Sequence, residues 1–368
     1  MKLTVARSEM VEALTVVSRG LSSRSTLPIL SGVLMSAQTN GQVTLQSTDL
    51  EVSLRSKLPQ VSVEREGKSV VPGKLVTEIV RSLPEAAITL TVEGETASIT
   101  CLQSSFTVKT MSPDDFPQFP EVATERPLSL PALSISNVVK HVSKAVSRDE
   151  TRPVLTGVLL TIEGKRLKMV STDSYRLAVK ETIVESHAVE DTEVIVPGKV
   201  MEEVSRLAPE DEDIEIGISE NQVVFSFGTT EFVTRRIEGS FPNYRQLIPK
   251  ESETTVVLPR DDVLTAVKRV SLLAQHNTPL RVTISSDDQT LSLSAATHDV
   301  GDASEDLMAN VEGQSVEIAF NHAFLLDGLL ASEGDNVRIS IVSPLKPGVI
   351  TSPDDEDFLY LLMPVRLG

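Results

Sequence analysis

The segment VVPGKLVTEIVRSLP, residues 70–84, returns as IVPGKVMEEVSRLAP at residues 195–209, about 125 residues further along. Other segments echo at the same interval. TLPILSGVLM (26–35) comes back as TRPVLTGVLL (151–160) and, more faintly, as NTPLRVTISS (277–286). LQSTDLEVSL (45–54) comes back as MVSTDSYRLAV (169–179) and then as LSAATHDVG (293–301). DDFPQF (114–119) matches GSFPNY (239–244), and MPVRLG closes the chain where a third copy would end. The chain therefore reads as three diverged copies of one module, over residues 1–122, 128–248 and 254–368. The Pro-, Glu- and Thr-bearing segments EVATERPLSLP and LIPKESETT read as linkers.

Each copy opens with apolar residues at helical spacing: Met10, Val11, Leu14 and Val17, then Val138, Val139, Val142 and Val146, then Val263, Leu264, Val267 and Val270. Alternating runs follow, such as Val43 and Leu45, then Leu50, Val52 and Leu54, which predict strands. Turn signals fall in register at Asn40-Gly41, Glu163-Gly164 and Asp287-Asp288. The opening segment predicts a second helix after Pro-Gly, with Leu75, Val76, Ile79, Val80 and Leu83 inward. Its echo uses Val200, Met201, Val204 and Ala208, and IAFNHAFLLDGLLAS keeps the spacing without the Pro-Gly. The expected fold class is α+β, with two helices and antiparallel sheets in each module.

A row of such modules leaves one unpaired sheet edge at each end, and edges must be covered or paired. Two chains joined head to tail would pair both edges and close a ring of six modules. Duplication by gene growth alone, with no such consequence, is the plainer alternative.

Charge limits the partners. The chain has 368 residues and a net charge of −18, which taken whole argues against nucleic acid. Over the six predicted helical stretches (7–19, 74–82, 134–148, 198–207, 260–275 and 321–331), twelve basic residues face eight acidic ones. Weak positive charge on helices inside an acidic shell suits diffuse, sequence-independent phosphate contact. A single cysteine, Cys101, excludes a disulfide framework and fits a reducing compartment. No apolar leader or membrane-length run is found, so a soluble, cytoplasmic protein is expected. The five histidines are scattered, GKS at 67–69 lacks its upstream glycine, and Cys101 has no nucleophile signature. Neither an enzyme nor a metal or cofactor protein is expected.

TLPILSGVL after Arg24, VVPGK and IVPGK, STDSYRLAV, SFPNYRQLIP and the C-terminal YLLMPVRL together carry a resemblance. The chain resembles the bacterial DNA polymerase III beta subunits, the sliding-clamp family, over its full length. The resemblance implies a non-catalytic, ring-shaped homodimer that encircles duplex DNA, slides, and confers processivity. It implies partners that bind through short linear peptides: the DNA polymerase III catalytic subunit, the clamp loader, other polymerases and repair proteins.

Carried over by motif, the peptide pocket would use Leu155, Thr172, Ser174, Tyr175, Arg176 and Leu177, with Pro242, Gln246 and Leu247. Asn321, Leu361, Met363, Pro364, Val365 and Arg366 complete it. Leu, Met, Pro and Val make an adaptable apolar slot. Thr172, Gln246 and Asn321 are expected to orient a peptide backbone. The plainer alternative is that Leu177, Leu247 and Met363 are core residues. Ser174-Tyr175 stands where Gly-His is common in the family, a departure that would re-line the slot.

The same resemblance assigns DNA contact to Arg24, Arg81, Arg148, Arg152, Lys199 and Arg206, with Asp149 and Glu150 weakening it nearby. It assigns the dimer contact to Lys74, Phe106 and Val108 on one side. Leu272, Leu273, Asp299, Asp302 and Glu305 stand on the other. A protein-only scaffold of the same modules is the competing reading.

Overall fold

The computed structural model describes residues 1–22, 26–122, 127–184, 191–274, 278–297 and 300–366. Six α-helices are described: α1 (Arg7–Val17), α2 (Gly73–Ser82), α3 (Ala132–Val142), α4 (Gly198–Leu207), α5 (Arg260–Val270) and α6 (His322–Ala331). Two fall in each repeat, the first after an opening strand and the second after a run of strands. All strand pairings among the described residues are antiparallel.

The repeated Pro-Gly has a local cause. Pro72 ends the strand Gly67–Pro72 and stands just before α2, while Gly73 is its first helical residue. A Cβ on Gly73 would lie 2.5 Å from Leu21 Cδ1, and one on Gly198 would lie 2.8 Å from Val146 Cγ1. Both helix starts thus lie so close to a neighbouring side chain that a Cβ there would force that neighbour to shift. The third copy replaces this device with a side-chain cap. Asn321 Oδ1 accepts from the amides of Ala323 (2.9 Å) and Phe324 (3.3 Å) at the start of α6.

The helical spacing is largely reproduced. Met10, Leu14 and Val17 of α1, Val76, Ile79 and Val80 of α2, and Val263, Val267 and Val270 of α5 are buried. Leu75 differs: it is exposed, because the helix turns it away from the stripe that Val76 and Ile79 define. Gly41 and Gly164 take left-handed conformations in their hairpin turns. In the third copy that conformation falls to Gln289, one residue past the Asp287-Asp288 signal.

The described structure divides into two compact units, residues 1–133 with 203–236, and 134–202 with 237–368. In the first, a five-stranded sheet holds Ala87–Glu93 at its middle, with Lys2–Ala6 beside it, and ends on the strand Ser104–Lys109. An eight-stranded sheet joins the first repeat to the opening strand and the last three strands of the second. Its joint is the pairing of Thr230–Arg235 with Val52–Leu58, Phe232 opposite Leu54. Leu3, Leu14, Met35, Leu45, Ile88 and Ile99 belong to one core here.

The second unit repeats that design. A nine-stranded sheet joins the second repeat to the third where Arg176–Ile183 pairs with Asp355–Leu362, Ala178 opposite Tyr360. A four-stranded sheet ends on Gly301–Met308. Sheet continuity across both joints is why contacts gather into two units from a chain of three repeats.

Candidate functional site

The joint between the second and third repeats carries most of the expected peptide residues. Its turn is built by Asp173, whose Oδ1 accepts from the amides of Tyr175 (2.9 Å) and Arg176 (3.0 Å). This throws Ser174 into the left-handed region at φ 78° and leaves Tyr175 exposed. Thr172 Oγ1 closes the turn, donating to the Arg176 carbonyl (2.7 Å) and accepting from the Ser174 amide (3.2 Å). Its hydroxyl proton is therefore committed to the turn. Asn321 spends its side-chain oxygen on the start of α6, and its side-chain NH2 is a separate donor.

Arg176 is a structural hub. Its Nε donates to Asp173 Oδ2 at 3.0 Å, and its Nη1 to Asp327 Oδ2 at 2.5 Å and to Tyr360 Oη at 3.3 Å. The guanidinium lies 4.3 Å from the Phe324 ring centroid, and Tyr175 stacks on the same ring at 6.3 Å. Tyr360 in turn donates to the Phe324 carbonyl at 3.0 Å. Burial pushes the Tyr360 phenol above its ordinary range, so it stays protonated and able to donate. Asp173, Asp327, Phe324 and Tyr360 were not anticipated as site residues. Only Asp173 had a sequence signal, the repeated Ser-Thr-Asp.

Beneath the turn, Leu177, Leu361 and Tyr244 pack with Leu159, Val170 and Val179 in one small core, with Phe241 and Ile248 against it. Leu155, Leu177 and Leu361 are buried. They form a floor, in keeping with the plainer alternative for Leu177. Leu247 and Met363 do not follow that alternative. Leu247 is 49% exposed, and Met363 and Val365 are each 38% exposed. Pro242, Gln246 and Arg366 are exposed, and Pro364 is half-buried. The Met363 amide donates to the Tyr175 carbonyl (2.8 Å), and the Val365 amide to the Ala319 carbonyl (2.8 Å). This C-terminal segment is thus fixed beside the turn and presents apolar side chains outward.

A second polar fastening lies in the same unit. Lys180 Nζ binds both oxygens of Asp355 at 2.6 Å. His141 is buried against Phe358, with Nδ1 2.6 Å from the Asn137 carbonyl. Its Nε2 stands 3.9 Å from Glu333 Oε1 and 3.9 Å from Asp355 Oδ2. Burial is the main cause that holds the imidazole below its ordinary pKa, so it is kept neutral.

The expected DNA contacts divide. Arg24 lies outside the described residues. Lys199 and Arg148 are exposed. Arg81 donates to Thr15 Oγ1 at 2.8 Å, and Arg206 pairs with Glu203 at 3.0 Å. Arg152 is held by Asp149 Oδ2 (3.0 Å) and Ser174 Oγ (2.9 Å), so it neutralises that acid and braces the turn. Helix boundaries also reduce the expected positive excess. Arg19, Lys144 and Arg148 fall beyond the ends of α1 and α3, leaving nine basic against eight acidic residues on the six helices.

Among the expected dimer residues, Lys74, Asp302 and Leu272 are exposed, Leu272 at 82%, and Phe106 is 38% exposed. Val108 differs: its side chain is in the core, so it could offer a partner only its backbone. Leu273 is half-buried, its carbonyl accepting from Thr297 Oγ1, and Glu305 is paired with Arg269. Asp299 lies outside the described residues. Among the described residues, no group of three or more His, Cys, Asp or Glu is placed to hold a metal ion. No described helix is long and apolar enough to cross a membrane.

Three family models match the chain in order. They are the N-terminal domain of the DNA polymerase III beta subunit over residues 1–120, its central domain over 129–243 and its C-terminal domain over 245–366. The chain is 34% identical over 380 residues to the beta sliding clamp of Streptomyces coelicolor, covering 100% of both. It is 32% identical over 376 residues to that of Staphylococcus epidermidis, covering 100% of this chain and 99% of the relative. The solved DNA polymerase sliding clamp from Bacillus subtilis superposes over 100% of both chains with a TM-score of 0.94 at 30% identity.

Proposed function

The chain belongs to the DNA polymerase III beta-subunit family, and from that premise we infer how this member works. It is a non-catalytic processivity clamp with three clamp domains, acting with DNA and a replicative polymerase. The observation that carries this is full-length agreement with sliding clamps, domain by domain, in the order of the internal repeat.

The modules run 1–122, 128–248 and 254–368, and two chains close head to tail. The strand Ser104–Lys109 of one chain meets Gly301–Met308 of the other; both end their sheets among the described residues, Phe106 stands exposed on the first, and Leu272 stands exposed on the turn Ser271–Leu273 that contacts the second. Duplex DNA passes through the closed dimer and is touched by Lys199, Arg148 and Arg81, with Arg24. Short peptides from the polymerase, the clamp loader and other replication and repair proteins seat on Leu247, Met363 and Val365, over the floor of Leu155, Leu177 and Leu361. Exposed apolar side chains over a buried apolar floor support this seat.

The test is retention on DNA. After loading, the chain should stay on a closed circular duplex at moderate salt and be lost when the circle is cut. Equal loss from cut and closed circles would favour the protein-only scaffold. Native mass adds a second check: a stable dimer has twice the 39.9 kDa chain mass, and a persistent monomer would overturn head-to-tail closure.

A further inference from the structure

The joint between the first and second repeats has the same construction as the joint that carries the peptide seat. Leu50 takes φ 79°, as Ser174 takes 78°. Asp49 Oδ1 accepts from the amides of Glu51 (3.0 Å) and Val52 (2.8 Å), as Asp173 does one repeat later. Thr48 Oγ1 donates to the Val52 carbonyl (2.8 Å) and accepts from the Leu50 amide (3.0 Å), matching Thr172. Val52 pairs with Thr234 as Arg176 pairs with Leu362. Beyond the strand, the Arg235 amide reaches the Glu51 carbonyl (3.4 Å) where the Met363 amide reaches Tyr175.

Register therefore equates residues across the two joints. Ser53 stands for Leu177, Glu51 for Tyr175, Arg235 for Met363 and Pro117 for Pro242. At three of these four positions an apolar or aromatic side chain has become polar or charged. A cavity of about 120 Å³ opens at this place, lined by Glu51, Ser53, Gln118, Gln222 and Arg235. Leu50, half exposed, and Pro117 and Val233 supply its apolar edge.

We propose that this cavity is a second peptide-binding site, which takes one uncharged polar side chain of an extended peptide, such as a side-chain amide. Its volume is well below the several hundred Å³ of pockets that hold whole small ligands, so it fits one side chain of a longer molecule. Glu51 and Arg235 bring opposite charges to the same lining, so a charged side chain is repelled by one of them. A primary amide offers a donor and an acceptor together and satisfies both. Leucine, suited to the apolar seat, would offer Gln118 and Gln222 no hydrogen bond, whereas Ser53 already donates to Thr48 Oγ1 at 2.9 Å.

The inference extends the peptide-seat reading to a second joint, and its test uses separate reporters. Methyl NMR of the full chain would follow Leu50 and Val233 during titration with N-acetyl-glutamine methylamide, and with the corresponding blocked leucine and blocked glutamate. Saturable shifts in the millimolar range are expected for blocked glutamine, with binding at least about tenfold weaker for the other two. Glu51→Ala combined with Arg235→Ala should weaken blocked glutamine about tenfold while leaving thermal unfolding unchanged, since both residues are exposed. Absence of a saturable shift, equal shifts with blocked leucine, or indifference to the two substitutions would overturn the proposal. Failure of the peptide seat itself would show instead at the Met363 methyl with a polymerase-derived peptide, and would leave the Leu50 and Val233 readout as it is.

Discussion

Arg176 and Asp327 meet through Nη1 and Oδ2 at 2.5 Å, joining the strand after the Ser-Thr-Asp turn to helix α6, in the next repeat. The Arg176 side chain is only 10% exposed, and its other carboxylate partner, Asp173, 13%. Removing one member of such a group strands the others away from water. Arg176→Ala should therefore cost about 3 kcal/mol of stability, measured by denaturant unfolding. Arg176→Lys should fall between, because an ammonium cannot span Asp173, Asp327 and Tyr360 with one planar fork. A loss below about 1 kcal/mol for Arg176→Ala would remove Arg176 from the fastening of the joint.

His141 predicts a pH dependence. Its native pKa lies below the ordinary value of 6.5, first because of burial, then because of Lys180, against the Asn137 carbonyl, Glu333 and Asp355. The unfolded chain takes up a proton as pH falls through about 6.5, while the native state resists it until lower pH. The contribution is fully present above that range and is lost as pH drops toward the native pKa. Melting temperature should therefore fall between pH 7.5 and 5.5, and fall less in His141→Gln. Glu333, its pKa lowered chiefly by the Lys140 hydrogen bond, titrates below this window. Equal slopes for the two proteins would show that His141 is not the group responsible.

Peptide binding should separate exposed from buried members of the seat. Met363→Ala removes an exposed thioether and is expected to weaken a polymerase-derived peptide by about 1–2 kcal/mol, with the native mass unchanged. Leu177→Ala instead empties part of the floor and should cost about 2–5 kcal/mol of fold stability. Calorimetric titration beside thermal melts distinguishes the two. Unchanged affinity in Met363→Ala would move the seat elsewhere.

Dimer closure makes its own prediction. Phe106→Glu places a charge on the strand Ser104–Lys109, which the proposed dimer sets opposite the edge carrying Asp302 and Glu305. Native mass should drop from twice the chain mass to the single chain, and retention on circular DNA should vanish with it. A dimer that survives the substitution would exclude this edge from the contact.

Local features were legible in the sequence because they have local causes. The spacing of Met10, Leu14 and Val17 fixes one face of α1, and the closeness of Gly73 to Leu21 accounts for a repeated Pro-Gly. Leu75 was misplaced because a five-residue apolar stripe is wider than the face that α2 buries. The joints were less legible. Nothing near Phe232 announces that it lies opposite Leu54, since strand pairing between repeats depends on residues far apart in sequence. The sequence also did not reveal that the side-chain oxygens of Thr172 and Asn321 accept local backbone amides. A hydroxyl or carboxamide beside a turn is spent first on the nearest backbone amides.

The interleaving of the two units sets a timetable for biosynthesis. The strand Val52–Leu58 leaves the ribosome early, yet its partner Thr230–Arg235 follows about 170 residues later, a delay of roughly 10–35 s at bacterial elongation rates. Through that interval the nascent chain carries an open sheet flank with Leu54 on it. The polar residues Ser53, Arg55 and Lys57 along the same strand then guard against premature pairing with a neighbouring polypeptide.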